Sequence, residues 1–214
     1  MPHSDSTIIP HVLKLVSEAK PKSILDIGIG WGKYGSLFRV TLENGYADIS
    51  NRDNWEVTID GVEVFPEYVG QVQHTVYNNI IISSVEDAID NLGKYDVIFV
   101  GDIIEHIPRP QADEILTKLV NRANKMVLIA TPNGHYEQGE MFGNAHEEHV
   151  SEWRPHDFTT FKYHQVYKNR KIILAAISNH PINDNGKRYK LGYLKRYPNS
   201  LYRSEFFKSK FSLK

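Results

Sequence analysis

Asp102, Glu105, His106 and, farther along, His149 are the residues of this chain whose types and spacing could do chemistry. They occur in Gly101-Asp102-Ile103-Ile104-Glu105-His106-Ile107-Pro108 and in His146-Glu147-Glu148-His149-Val150-Ser151-Glu152-Trp153. Histidine titrates near neutral pH, so His106 or His149 can take a proton from a hydroxyl as a general base. A second reading uses the same residues. Glu105 and His106 lie three and four positions after Asp102, a spacing that one helical turn presents together. Two carboxylates with His106 and His149 suit Mg²⁺, Mn²⁺ or a similar cation. The residues by themselves leave base and metal open.

Such groups need a frame. Asp102 follows Val97 to Val100, an apolar run that reads as a buried strand ending in a polar cluster. A second strand signal, Ser23 to Ile27, breaks into Gly28, Gly30 and Gly32 and then into a helical pattern through Leu37, Phe38 and Val40. Glycines let the backbone turn sharply and lie close to a ligand, and the helix that follows points its first N–H groups at the turn. Strand, glycine turn and helix make a nucleotide-sized site at the carboxyl end of a parallel sheet. The spacing G-x-G-x-G is not the G-x-G-x-x-G dinucleotide fingerprint.

The stretch Asp26-Ile27-Gly28-Ile29-Gly30-Trp31-Gly32 resembles motif I of the class I S-adenosylmethionine (SAM) dependent methyltransferases, and Tyr95 to Pro108 resembles their motif IV. The resemblance covers roughly residues 20 to 180. It implies SAM as cofactor, with Asp26, Gly28, Gly30 and Gly32 beneath it. Glu63, about thirty residues past the glycines at the end of the next strand, would hold the ribose hydroxyls. Phe65 would pack beside the adenine; Ser84 takes the place where the family commonly has an acid for the adenine amino group, with Glu86 and Asp87 slightly later, and Val85 would also meet the cofactor. Asp102 would lie at both the cofactor and the methyl-transfer edge.

Asp102-x-x-Glu105-His106, Thr131-Pro132-Asn133 and Glu148-His149-x-x-Glu152-Trp153 resemble small-RNA 3′-terminal 2′-O-methyltransferases, which bind a metal through an E-x-x-E-H step and a later histidine. Asp102 replaces their first glutamate. Ubiquinone-pathway O-methyltransferases share the E-H and T-P-N pattern. Bacterial methyltransferases of sugars and surface glycans share the G-K-Y-G step at Gly32 to Gly35 and the H-x-S-x-W step at His149 to Trp153. The resemblance therefore implies O-methylation of a small-molecule or sugar hydroxyl. The alternatives are an RNA 3′ end and a non-catalytic binding protein with the same fold.

Strands and helices alternate along the chain, so the fold expected is α/β: a Rossmann-like, doubly wound seven-strand sheet, mostly parallel, its last strand antiparallel as the resemblance implies. Residues 1–6 read as frayed, and Thr7 to Ala19 as a helix. Asn44 to Glu56 reads as a surface loop. Strands are expected over 57–65, 79–83 and 126–130, with helices over 66–76 and 111–122. The polar segment Gly134 to Pro155 reads as a substrate lid, because long loops inside a compact domain are usually functional. Tyr34, His146 and Trp153 are expected to meet the substrate there. A short helix from Asp157 and two strands, at 165–166 and 171–177, follow.

At 214 residues the chain is long enough for one domain with a sizeable core, and its formal charge of −1 makes it no polyanion binder as a whole. The charge is uneven. Residues 181–214 carry nine Lys/Arg against Asp184 and Glu205, a net +7, which leaves −8 on the other 180 residues. The reading is a methyltransferase domain over 1–180 and a basic, aromatic extension over 181–214. The extension suits RNA, an oligomer contact or an arm packed on the domain. There is no cysteine, so no disulfide, and no apolar run long enough to span a bilayer. No leader pattern opens the sequence, and cytoplasmic residence is the expectation.

Overall fold

The computed structural model describes residues 5–43, 49–182 and 192–193. Its centre is a sheet in the order β3-β2-β1-β4-β5-β7-β6-β8. The strands are β1 (Ser23–Ile27), β2 (Thr58–Glu63), β3 (Ile80–Ile82), β4 (Tyr95–Gly101), β5 (Ala123–Pro132), β6 (Tyr163–Lys168), β7 (Ile172–Ser178) and β8 (Gly192–Tyr193). The first five run parallel. β7 is antiparallel to both β5 and β6. The seven strands expected are therefore present, and β8 adds a two-residue eighth, parallel to β6.

The apolar runs are continuous because both faces of the sheet are covered. Successive side chains alternate between two cores. On β4, Val97 and Phe99 join the core beneath the first helices, while Ile98 and Val100 join the opposite one. Met126 and Leu128 divide from Val127 and Ile129 on β5 in the same way. The first face is covered by α1 (Ile9–Ala19), through Val12, Leu15 and Val16, and by α2 (Lys33–Leu42), through Phe38. The other is covered by α5 (Arg109–Arg122), through Ala112, Ile115, Leu116 and Leu119. Pro10 sits in the first turn of α1, where its missing N–H costs nothing.

The single helix expected over 66–76 is broken. A 3-10 turn, Pro66–Tyr68, precedes α3 (Gln71–Val76), and extended Gly70 separates them. Gln73 bridges the break: its Oε1 accepts from Gly70 N (3.0 Å), and its Nε2 donates to the carbonyls of Tyr68 (2.7 Å) and Gly30 (2.6 Å). α4 (Val85–Ala88) is one turn, capped by Ser84 Oγ accepting from Asp87 N (3.2 Å). Within the segment expected as a surface loop, Arg52–Asn54 forms a 3-10 turn, and the Arg39 guanidinium lies 3.6 Å from the Trp55 ring centre. Residues 1–4, 44–48, 183–191 and 194–214 lie outside the described residues, and with them most of the basic extension. No helix among the described residues is long and apolar enough to cross a membrane.

Candidate active site

The carboxyl ends of β1, β2, β4 and β5 open onto one cleft of about 700 Å³. Its first wall is the glycine turn after β1. Gly28 and Gly30 have φ of +77° and +47°, the left-handed region that side chains disfavour. A Cβ on Gly28 would stand 2.2 Å from Ile103 Cδ1, so the turn closes tightly on the segment after β4. At Gly30 nothing lies within 4 Å of that position, and the backbone faces open cleft. Glu63, at the end of β2, ties the turn down. Its Oε2 accepts from Gly30 N (2.8 Å) and its Oε1 from Phe65 N (3.0 Å). Burial pushes its carboxyl up, and those backbone amides pull it back.

Asp26 lies beneath the turn, fully buried, with Oδ2 accepting from Tyr77 Oη at 2.6 Å. Burial raises it to about 7; Tyr77 pulls it down and the nearby Glu63 charge adds to the rise. Tyr77 Oη in turn accepts from Gly35 N (3.2 Å). Ser83, Ser84, Val85 and Glu86 form the next stretch of wall.

The other half of the cleft is built after β4. Asp102 has φ +53°, an uncommon conformation for a non-glycine residue, with its N–H held by the Ala130 carbonyl (2.9 Å). A 3-10 turn, Ile104–His106, follows instead of an α-helical one. Glu105 is 2% exposed. Its Oε2 accepts from Thr131 Oγ1 (3.0 Å), while its Oε1, also buried, has no hydrogen-bond partner among the described residues. Burial first, and the Asp102 charge second, push its carboxyl well above the usual range.

His106 Nδ1 lies 3.0 Å from the Glu148 carbonyl and His149 Nδ1 lies 2.8 Å from the Tyr136 carbonyl. A carbonyl can only accept, so in a neutral ring Nδ1 carries the proton and Nε2 does not. Burial lowers both histidines from their ordinary value, which favours the neutral rings. The two rings meet edge to face at 4.8 Å. Ligand atoms of Glu105, His106 and His149 lie within 4.8 Å of one another.

Asp26, Gly28, Gly30, Glu63, Ser84, Val85, Asp102, Glu105, His106, His146 and His149 thus line one cleft, and Tyr34 joins them. The structure departs from the sequence expectations at several of these positions. Gly32 caps α2 and faces the Gln73 and Tyr77 side chains instead of the cleft. Phe65 does not line the cleft; its ring packs edge to face on Tyr68 at 4.9 Å, and the neighbouring Val64 and Tyr68 line it. Tyr34 is not on the lid but on α2, packed on Phe99 at 4.3 Å. Trp153 does not meet the cleft. It is 1% exposed, stacks on Phe158 and donates from Nε1 to the Ile104 carbonyl (3.3 Å) and Ser151 Oγ (3.1 Å). Burying so large an apolar ring outweighs leaving it on a mobile loop. Asp102 is outside the compact ligand trio, because its left-handed backbone breaks the helical turn that was to align it with Glu105 and His106.

Tyr68 and Glu147 were not legible in the sequence. Tyr68 Oη donates to Glu147 Oε1 (3.0 Å), joining the segment after β2 to the segment after β5 across the cleft. Exposed Trp31 and Tyr136, and Arg170 and Lys171 of the β6–β7 turn, also line it.

No protein-family model matches this chain, and no curated protein matches its sequence. Solved structures match its fold. The methyltransferase domain of bacterial CtHen1 is 17% identical, over 80% of this chain and 97% of that one, with a TM-score of 0.55. The N-terminal domain of EvdMO1, solved with S-adenosylhomocysteine bound, is 11% identical over 82% and 83% of the two chains, at 0.58. The plantazolicin methyltransferase BamL, solved with a triazolic desmethylPZN analogue and S-adenosylhomocysteine, is 13% identical over 82% and 86%, at 0.55. The chain therefore has the Rossmann-like fold of SAM-dependent methyltransferases.

Proposed function

We propose that the protein is a SAM-dependent methyltransferase that acts on the hydroxyl oxygen of a small molecule or sugar. The observation that carries this reading is the continuity of one cleft, from the glycine turn latched by Glu63 to the adjoining rings of His106 and His149. The cofactor, when bound, supplies an electrophilic methyl group. Everything else falls to the chain. Gly28 and Gly30 keep side chains out of the cradle, and Glu63 retains lone pairs for ribose hydroxyls beyond the amides it already holds. Asp102 marks the junction between the halves. A hydroxyl placed beside His106 or His149 gives its proton to Nε2, which leaves the oxygen lone pair free to attack. The Tyr68–Glu147 bond keeps the segment after β5 across the cleft.

A metal-assisted variant of the same reaction is favoured by one observation. Among the described residues the Glu105 Oε1 atom is buried without a partner, and ligand atoms of Glu105 and the two histidines lie within 4.8 Å of one another. One carboxylate and two imidazoles held by carbonyls fit Mg²⁺ or Mn²⁺, and such an ion would lower the acceptor's pKa. Calorimetric titration separates these levels. S-adenosylhomocysteine is expected to bind the protein at one site; absence of binding overturns the methyl-transfer reading. Mn²⁺ titrated into the saturated protein is expected to bind at one site and to lose that site in His149→Ala. No Mn²⁺ uptake leaves the histidine base as the mechanism. The protein is further read as cytoplasmic, with residues 1–180 as the methyltransferase domain.

A further inference from the structure

The direction of β7 brings two cations to the cleft. β7 is antiparallel to β5, so it begins, instead of ending, at the edge of the sheet that carries the glycine turn. Its first residue, Ile172, lies opposite Pro132, the last residue of β5. The tight turn before it therefore stands at the cleft, and Arg170 and Lys171 line the opening.

This turn is pinned. Asn169 Oδ1 accepts from Lys171 N (2.8 Å) and Ile172 N (2.9 Å), and Asn169 Nδ2 donates to Thr7 Oγ1 (3.0 Å). Asn133, just past β5, donates from Nδ2 to the Asn169 carbonyl (2.7 Å) and from N to the Lys171 carbonyl (2.8 Å). These hydrogen bonds hold the turn, and none uses a cationic head group. Both side chains are exposed. Asp5 lies within electrostatic reach of Lys171 and of Lys33, which lines the same cleft, and offsets part of their charge. The Arg170 guanidinium has no hydrogen bond or ion pair among the described residues. An arginine held on a rigid turn at a reaction cleft, with its fork unoccupied, is arranged for a bidentate anion.

We propose, resting on the methyl-transfer reading above, that the acceptor bears a phosphate or carboxylate group, and that Arg170 and Lys171 hold this group at the mouth of the cleft. The cations fix one end of the acceptor and leave its hydroxyl to the histidine side, a restriction of orientation that favours transfer.

The test is a titration of inorganic phosphate and, separately, of acetate into the full chain at constant ionic strength, with and without saturating S-adenosylhomocysteine. One or both anions are expected to bind at a single site. Binding should weaken about tenfold or more in the double variant Arg170→Gln, Lys171→Gln, as loss of charge-assisted contacts requires. The anion that binds tighter tells a phosphate-bearing from a carboxylate-bearing acceptor. Failure of both anions to bind, or equal binding by the double variant, overturns the proposal. Both positions are exposed, and S-adenosylhomocysteine affinity is expected to match the parent, which verifies the variant's fold. Failure of the parent chain to bind S-adenosylhomocysteine counts against the methyl-transfer reading, while the anion result without it still decides this one.

Discussion

Glu63 shows how one side chain can be a binding group and a structural one. Its two oxygens hold Gly30 N and Phe65 N, so it shapes the turn it is proposed to serve. Hydrogen bonds to a charged group contribute about 1.5–3 kcal/mol each. Glu63→Ala is therefore expected to weaken S-adenosylhomocysteine binding by about tenfold or more, read by calorimetry. Unchanged affinity would remove Glu63 from the site. The acid could be found in the sequence because it ends an apolar run at a set distance from the glycines. Its latch to Gly30 could not, because the two residues are 33 positions apart. The histidines divide in the same way. Their presence was plain, but which nitrogen each presents depends on the carbonyls of Glu148 and Tyr136, which folding alone supplies.

At the scale of elements, the segment from Gly134 to Pro155 is two things at once. Its outer part, with His146 and His149, lines the cleft. Its return is fastened to the turn after β4: the Glu105 carbonyl accepts from Val150 N (2.9 Å) and Ser151 N (3.0 Å), and Trp153 anchors in the core. The Arg109 guanidinium covers the Trp153 ring at 3.9 Å. Truncating a buried ring costs about 3–5 kcal/mol. Trp153→Ala is thus expected to lower the thermal midpoint sharply, an outcome a substrate-contacting lid residue would not give. A midpoint equal to the parent's would return Trp153 to the lid. An E-W or S-x-W step in a polar run reads as surface; only the pocket formed by Ile104, Phe158 and Arg109 shows that it is core.

Across the whole molecule, four buried carboxyls gather at the cleft, and stability is expected to respond to pH through them. Asp26, Glu63, Glu105 and Glu147 are all pushed up, chiefly by burial. An acid with a raised folded value binds its proton more tightly when folded, so its contribution is full at low pH and is lost as pH rises through the folded value. For Asp26 that window runs from its ordinary 3.8 to about 7. His11, His106 and His149 are lowered and act in the opposite sense near neutral pH. A comparison with Asp26→Asn isolates the single group. The variant's thermal midpoint, relative to the parent, is expected to rise from pH 5 to pH 8; a difference independent of pH would show that Asp26 does not titrate there.

The sequence by itself determined the α/β alternation, the parallel sheet, the glycine turn and the residue types at the cleft. These follow from local periods: two-residue alternation between faces, 3.6-residue spacing on helices, and glycine where φ is positive. It did not determine which of those residues meet. Asp102 leaves the Glu105–His106–His149 trio because of one left-handed residue, Gly32 turns its face to Tyr77, and Tyr68 reaches Glu147 across the cleft. Arg170 and Lys171 come to the site only because β7 runs against its neighbours. Strand direction and side-chain aim are set by packing between distant segments, and packing is decided in three dimensions.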